Sequence, residues 1–257
     1  MQFHNLQLDF LKRVLLDQTN DELVYQNFFD TLQYPDENVM KNVVSSPILE
    51  ARRVGRDWPQ RAHTMVGCER LSNLQKCLDF IRENDIAGDF IETGVWRGGA
   101  CIFVKKYLDM FGMKRKVFVA DSFKGLPPPE CQQDEGANYH LYTELAISLE
   151  SVSNNFKQYG CLDDNVVFIE GWFKDTLPNN NKIEKLSILR MDGDMYKSTM
   201  DVFETCYHKL SEGGFCIIDD WCIPDCREAV EDWWKLLGKQ PQYIDIDGSS
   251  IYWQKSS

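Results

Sequence analysis

Apolar residues recur at three- and four-residue spacing over the first third of the chain, as Leu6, Phe10, Val14 and Leu15, and again as Leu71, Leu74, Cys77, Leu78 and Ile81. That spacing places each set on one helical face, so residues 1–88 read as a helical N-terminal cap. Between the stripes lies a polar, irregular stretch, Pro35 to Met65, carrying the basic run Arg52, Arg53, Arg56 and Arg61 around Trp58. A run of this kind commonly forms a solvated face; the other readings are an anion-binding loop, a contact to an acidic acceptor, or one to a neighbouring subunit.

From Asp89 the pattern changes to short apolar runs alternating with amphipathic stretches, the signature of βα units around a mostly parallel sheet. Strands are predicted at Phe90 to Val95, Val117 to Ala120, Val166 to Glu170, Leu186 to Met191, Phe215 to Ile218, Tyr243 to Ile246, and Ser250 to Trp253. Two helical stripes between them are Phe103, Val104, Tyr107, Leu108, Phe111 and Met200, Phe203, Cys206, Tyr207, Leu210. Only Asp247-Gly248 and one flanking residue separate the last two runs, a hairpin signal. The prediction is an α/β, Rossmann-like doubly wound sheet over residues 89–257, seven strands with the last pair antiparallel. Pro127 to Pro129 and Asn179 to Asn181 read as short loops.

Charge narrows the partners. Lys and Arg number 28 against 40 Asp and Glu, a formal charge of −12, which argues against a nucleic-acid backbone. No apolar run approaches the roughly 20 residues of a membrane helix. Asp9, Lys12, Arg13 and Asp17 interrupt any signal-peptide core, so a cytoplasmic location without membrane contact is expected. The 9 cysteines are odd in number and contain no CxxC pair, and they read as reduced, mostly buried thiols. Cys216, Cys222 and Cys226 lack a fourth ligand at finger-like spacing, which disfavours zinc. The N-terminal helices offer more apolar surface than one sheet layer needs, and a homo-oligomer is expected.

A doubly wound sheet binds its ligand where strand carboxyl ends meet the loops. Glu92-Thr93-Gly94-Val95-Trp96-Arg97-Gly98-Gly99 joins a strand to a helix through three glycines, but its spacing is not GxGxxG. Glu92 puts a carboxylate at that turn, better suited to an amine than to a diphosphate. Asp121 ends the next strand and offers two oxygens to a vicinal diol, or else caps the next helix. Trp172 and Phe173 could wall a base. If the strands that end before Asp192 and Asp194 and before Asp219 and Asp220 are neighbours, three carboxylates can converge on one point; converging carboxylates repel unless a cation sits between them, and an all-oxygen set favours magnesium or calcium. The plain alternative is that Asp219 and Asp220 cap the helix beginning near Pro224.

These segments also carry a resemblance. Arg61-Ala62-His63-Thr64-Met65-Val66-Gly67, the Glu92 to Gly99 turn, Ala120-Asp121-Ser122-Phe123, Gly171-Trp172-Phe173-Lys174-Asp175-Thr176-Leu177-Pro178, and Arg190-Met191-Asp192-Gly193-Asp194-Met195-Tyr196 followed by Ser198-Thr199 resemble the macrocin and mycinamicin-type O-methyltransferases. The resemblance covers most of the chain from about residue 60. It implies a class I methyltransferase fold, S-adenosylmethionine as methyl donor, a magnesium ion, and a sugar hydroxyl of a glycosylated natural product as acceptor. By the same resemblance Glu92 meets the methionine amino group and Asp121 the ribose. Thr64, Met65 and Gly94 line the methionine end, Ser122, Gly171 and Trp172 the adenosine end, and Asp192, Asp219 and Asp220 hold the metal. Magnesium on two neighbouring sugar oxygens would lower the hydroxyl pKa.

The proton acceptor is expected to be Asp192 or His140, the latter in the loop Pro127 to Tyr142 that, with the N-terminal helices, should shape the acceptor pocket. Two other readings stand beside this one. A glycosyltransferase could use Asp192-Gly193-Asp194 as a metal site for a sugar nucleotide, although Glu92 would then face a diphosphate. A non-catalytic nucleoside-binding interaction protein would not need the metal carboxylates.

Overall fold

The computed structural model describes residues 2–19, 25–26, 48–178 and 180–256. Residues 35–47 of the irregular stretch, and Asn179, lie outside them. Helix α1 (Gln2–Leu15) leads to a small antiparallel ribbon of β1 (Tyr25–Gln26) and β2 (Trp58–Pro59), with α2 (Ile48–Arg53) between its strands. Helix α3 (Gly67–Glu83) then enters the main sheet layer. The strands are β3 (Asp89–Thr93), β4 (Val117–Asp121), β5 (Val166–Glu170), β6 (Leu186–Met191), β7 (Leu210–Ile218), β8 (Ile244–Asp245) and β9 (Ile251–Gln254). The helices among them are α4 (Gly99–Met110), α5 (Leu149–Gln158), α6 (Phe173–Thr176), α7 (Tyr196–Cys206) and α8 (Pro224–Leu237).

The seven main strands lie in the order β5-β4-β3-β6-β7-β9-β8. All pairs are parallel except β7 with β9 and β9 with β8. This is the doubly wound sheet with an antiparallel end that the alternating pattern predicts. Strand order reverses between β3 and β6, so the ligand crevice belongs at their carboxyl ends. Side-chain alternation divides the core into two layers. Phe90, Val117, Val119, Ile188 and Ile217 face α3, α4 and α5, while Ile91, Phe118, Leu189, Cys216 and Ile218 face α7 and α8.

The first layer takes side chains from both sides of the expected boundary at residue 88, because Leu71, Leu74 and Leu78 pack with Phe90 and Val104 in one cluster. The N-terminal region is thus partly a layer of the sandwich, and its ribbon is an element the helical reading did not include. The α3 stripe is buried as expected. The α1 stripe is not: Leu8, Leu15 and Leu16 are buried, whereas Leu6 is 65% and Phe10 61% exposed. Lys12 lies on the same inward side, reaching the Ser72 hydroxyl at 3.2 Å and lying over the Phe103 ring. The expected apolar excess therefore appears as an exposed stripe of Phe3, Leu6 and Phe10.

The basic run is not a solvated face throughout. Arg52 is buried, donating from Nε to Asp57 and from Nη1 to the Leu16 carbonyl. All cysteines are free thiols, and Cys222 alone among them is exposed. No described helix is long and apolar enough to cross a membrane.

Candidate active site

Backbone hydrogen bonds carry the sheet register past the strand ends and fix the loops. Gly94 donates to the Ala120 carbonyl, Asp192 to Thr93, Asp219 to Met191 and Gly171 to Asp121, at 2.8–2.9 Å. The residues after β3, β4, β5, β6 and β7 are thereby aligned along one edge. They surround a cavity of about 620 Å³, within the range of small-molecule sites. Thr64, Met65, Glu92, Gly94, Asp121, Ser122, Gly171, Trp172, Asp192, Asp219 and Asp220 all line it. The structure thus assembles in one place the residues the resemblance gives to the cofactor and the metal, while His140 stands apart.

His140 is exposed and is not among the cavity-lining residues. Tyr139, in the same short 3-10 turn, faces the cavity instead. Placement gives His140 no support as proton acceptor.

The glycine turn makes the close approach its composition predicts. Gly94 has φ 88°, and a β-carbon there would overlap the Asp192 carbonyl oxygen. Gly94→Ala must separate β3 from β6 at the switch point, so we expect a loss of cofactor affinity of at least about tenfold together with a lowered melting temperature. Titration calorimetry and a thermal melt check this; native values for both would remove the close approach from the account.

Left-handed conformations cluster here as well. Trp96 (φ 47°), Phe123 (φ 56°) and Asp194 (φ 57°) come after β3, β4 and β6, and non-glycine residues hold such angles only where surroundings fix them. The Asp121 carboxylate supplies one such restraint, accepting from the Val95 and Phe123 amides at 2.8 Å each. It does not cap a helix, and the Ser122 hydroxyl adds a longer contact to Oδ1 at 3.4 Å.

The metal reading rests on chemistry and distance. One oxygen from each of Asp192, Asp219 and Asp220 lies within 4.8 Å of the others. Helix α8 takes no side-chain cap from them; its N-cap is Ile223, so capping does not explain the pair. Behind the triad sits an ion network. Arg190, on β6 and in register with Glu92 on β3, donates to Glu92, to Asp192 Oδ2 and to Asp219 Oδ1. Arg70 from α3 binds Asp219 Oδ2 at 2.6 Å and Asp247 Oδ2 at 2.7 Å.

Burial, then mutual repulsion, pushes the carboxyls of Asp192, Asp194 and Asp220 up. Burial acts on Asp219 likewise, but the two guanidiniums outweigh it and hold it below the usual range. Glu92 is only 2% exposed, and burial pushes it to about 7 against the pull of Arg190. Its second oxygen accepts from the Cys101 thiol at 2.7 Å. Both oxygens of the carboxylate expected to meet an amine are therefore engaged.

Sequence reasoning missed several of these groups. Arg190 was detectable as a lone charge inside an apolar strand, which demands buried partners. Arg70 and Asp134 gave no local signal. Asp134 is fully buried and accepts from the Tyr196 and Lys197 amides at the start of α7, tying the loop after β4 to the segment that bears Asp192 and Asp194.

The family described as Macrocin-O-methyltransferase (TylF) matches residues 4–255. The chain is 43% identical over 261 residues to Mycinamicin III 3''-O-methyltransferase of Micromonospora griseorubida, across 98% of this chain and 97% of that protein. It is 42% identical over 259 residues to 8-demethyl-8-(2,3-dimethoxy-alpha-L-rhamnosyl)-tetracenomycin-C 4'-O-methyltransferase of Streptomyces olivaceus, across 98% and 94%. The solved structure of the O-methyltransferase NovP superposes with a TM-score of 0.87 at 38% identity, covering 98% of this chain and 99% of NovP. These matches set aside the glycosyltransferase and the non-catalytic readings. The chain belongs to the Macrocin-O-methyltransferase (TylF) family and is an O-methyltransferase.

Proposed function

We propose that this O-methyltransferase moves the methyl group of S-adenosylmethionine to a sugar hydroxyl of a glycosylated natural product, with a magnesium ion held by Asp192, Asp219 and Asp220. The observation that carries this reading is that Asp121, suited to a diol, and the all-oxygen triad, suited to a hard cation, line one cavity at the switch point of the sheet. The acceptor class comes from the relatives, one named for mycinamicin III and one for a rhamnosyl tetracenomycin.

When bound, the sulfonium supplies an electrophilic methyl group and the cation acidifies a nearby hydroxyl. The chain does the rest. Asp121 accepts the ribose hydroxyls, and Trp172 and Phe173 wall the adenine. Asp192 is held in place by Arg190, which donates to its Oδ2 at 2.7 Å. Asp194 lines the cavity, and its carboxylate has no hydrogen bond or ion pair among the described residues; its amide is held by Asp220 at 2.9 Å. An unpaired carboxylate beside the triad, on a backbone tied to Asp220, takes the proton as the hydroxyl oxygen bonds to the methyl carbon and the carbon–sulfur electrons return to sulfur.

The test is calorimetric titration with S-adenosylmethionine and, separately, UDP-glucose, each with and without magnesium. Binding of the sulfonium that weakens in Asp121→Ala supports the proposal. Magnesium-dependent binding of the sugar nucleotide alone would overturn it.

The raised carboxyls add a pH signature. Asp192, Asp194, Asp220 and Glu92 keep protons in the folded chain that the unfolded chain releases near pH 4, so metal-free stability falls as pH rises toward about 7. Protons and magnesium compete for the same oxygens. The rise in melting temperature on adding magnesium should therefore be larger at about pH 7.5 than at about pH 5.5. A pH-independent increment would count against the triad as the ligand set.

A further inference from the structure

The order of the strands sets out where each part of the reaction takes place. Trp172 stands after β5, Asp121 at the end of β4, Gly94 after β3, and Asp192 and Asp194 after β6, and these strands are successive neighbours in the sheet. An adenosine held by Trp172 and Asp121 therefore points its sulfonium end toward β3, while the metal triad adjoins it from β6 and β7. The reacting centre lies over the junction of β3 and β6.

Two segments from outside the sheet are tied to that junction. In the ribbon, the carbonyl of Pro59, next to Trp58, accepts from Arg97 Nη1 in the turn after β3 at 3.0 Å. In the loop after β4, Asp134 accepts from the first amides of α7, the helix that follows Asp194. The Glu144 carbonyl of the same loop accepts from Trp96 Nε1 at 3.0 Å. Trp58 and Tyr139, one from each segment, are half-buried and line the cavity. Tyr142 joins them, its ring 6.3 Å from that of Trp58 and nearly perpendicular to it, and 6.4 Å from that of Tyr139, spacings of packed aromatic pairs. The loop adds Leu126, Pro127, Pro128 and Leu145 to the wall.

None of these side chains holds the methyl donor or the metal in the function proposed above. A partly exposed aromatic and apolar surface beside a reacting centre suits a flat, uncharged group. It does not suit the diphosphate of a nucleotide-linked sugar, because Lys174, Lys197 and Arg70 in the wall are each bound to carboxylates. We propose that Trp58 and Tyr139 form a platform for the apolar aglycone that carries the sugar, so that the enzyme selects its acceptor by the attached ring system as well as by the sugar. The inference rests on the sugar-acceptor reading above and deepens it. Glycosyl transfer is then the class of reaction that must supply the substrate.

The experiment uses the full chain saturated with S-adenosylhomocysteine and magnesium. It is titrated calorimetrically with two probes, methyl α-L-rhamnopyranoside and 2-naphthyl α-L-rhamnopyranoside. The wild type should bind the naphthyl glycoside at least about tenfold more tightly, the effect of one aromatic contact with its buried area. Trp58→Ala and Tyr139→Ala should each remove most of that preference by weakening the naphthyl probe alone. The methyl glycoside and S-adenosylhomocysteine should keep their affinities, a pattern that general damage to the fold would not produce. Tyr139→Phe should retain the preference, since the ring rather than the hydroxyl makes the contact. The two alanine variants test separate segments, so a variant that misfolds, seen as lost S-adenosylhomocysteine binding, leaves the other to decide. Equal affinity of the wild type for the two probes overturns the inference without recourse to any variant. So does a preference that survives both alanine substitutions. Tighter binding of thymidine diphosphate rhamnose than of the naphthyl glycoside also overturns it, and would turn the same wall, with its exposed Arg56, toward a nucleotide-linked sugar. If neither glycoside binds, the sugar-acceptor reading itself fails and the inference falls with it, a result distinct from the loss of aglycone preference.

Discussion

Asp194→Asn is expected to lower kcat by about 10²- to 10⁴-fold, the range for loss of a general base, while methyl-donor binding is unchanged and metal affinity shifts by no more than a few-fold. The substitution is isosteric and keeps the left-handed turn, since Asn tolerates φ 57° as Asp does. The backbone amide of residue 194 still reaches Asp220, so the loop stays tied. The loss is confined to one basic carboxylate in the cavity wall. Asp192→Asn is the contrasting variant. Asp192 is both a triad member and a partner of Arg190, so its neutralisation should weaken manganese binding, followed by electron paramagnetic resonance, along with turnover. If Asp194→Asn retains more than about a tenth of wild-type kcat, the proton goes elsewhere. If His140→Gln shows the larger loss, the cavity geometry has misidentified the acceptor.

The residues legible in the sequence were those whose role derives from local position. Glu92, Asp121, Asp192 and Asp219 each stand at the end of an apolar run, and parallel strands with shared register must bring such ends together. The hairpin at Gly248 was equally local. Three other features depend on contacts between distant segments, which periodicity does not encode. The α1 stripe was ambiguous because apolar residues occupy more than one face, and the buried one carries Leu8, Leu15 and Leu16 together with Lys12, against Phe103 and Ser72. Arg52 looked solvated because its partners Asp17 and Asp57 lie at loop positions without a pattern. Asp134 caps a helix that starts 62 residues later. Glu92 shows the limit most clearly: its position at the turn was readable, but the arginine and the thiol that occupy it come from other elements.

Arg190→Met should cost about 3–5 kcal/mol of stability, the range for removing one partner of a buried ion pair. Three carboxylates, from Glu92, Asp192 and Asp219, share this one guanidinium, whose side chain is 3% exposed. Methionine fills much of the volume, so the effect isolates charge rather than cavity formation. For a chain of this length each 1 kcal/mol moves the melting temperature by roughly 2–4 °C, giving a fall of roughly 6–20 °C near neutral pH. Two further signs separate lost charge compensation from lost packing. The variant should recover stability as pH falls, because Glu92 and Asp192 can then take protons in place of the guanidinium. It should also gain more from magnesium than the wild type does, the triad having become more negative by one charge. Arg190→Lys should fall between, since one ammonium keeps the charge but cannot span three carboxylates in a fixed fork. A fall in Arg190→Met that is the same at every pH and unaffected by magnesium would assign Arg190 to packing alone. It would also leave the neighbouring carboxylates without the counterion that lets them stay ionised so close together.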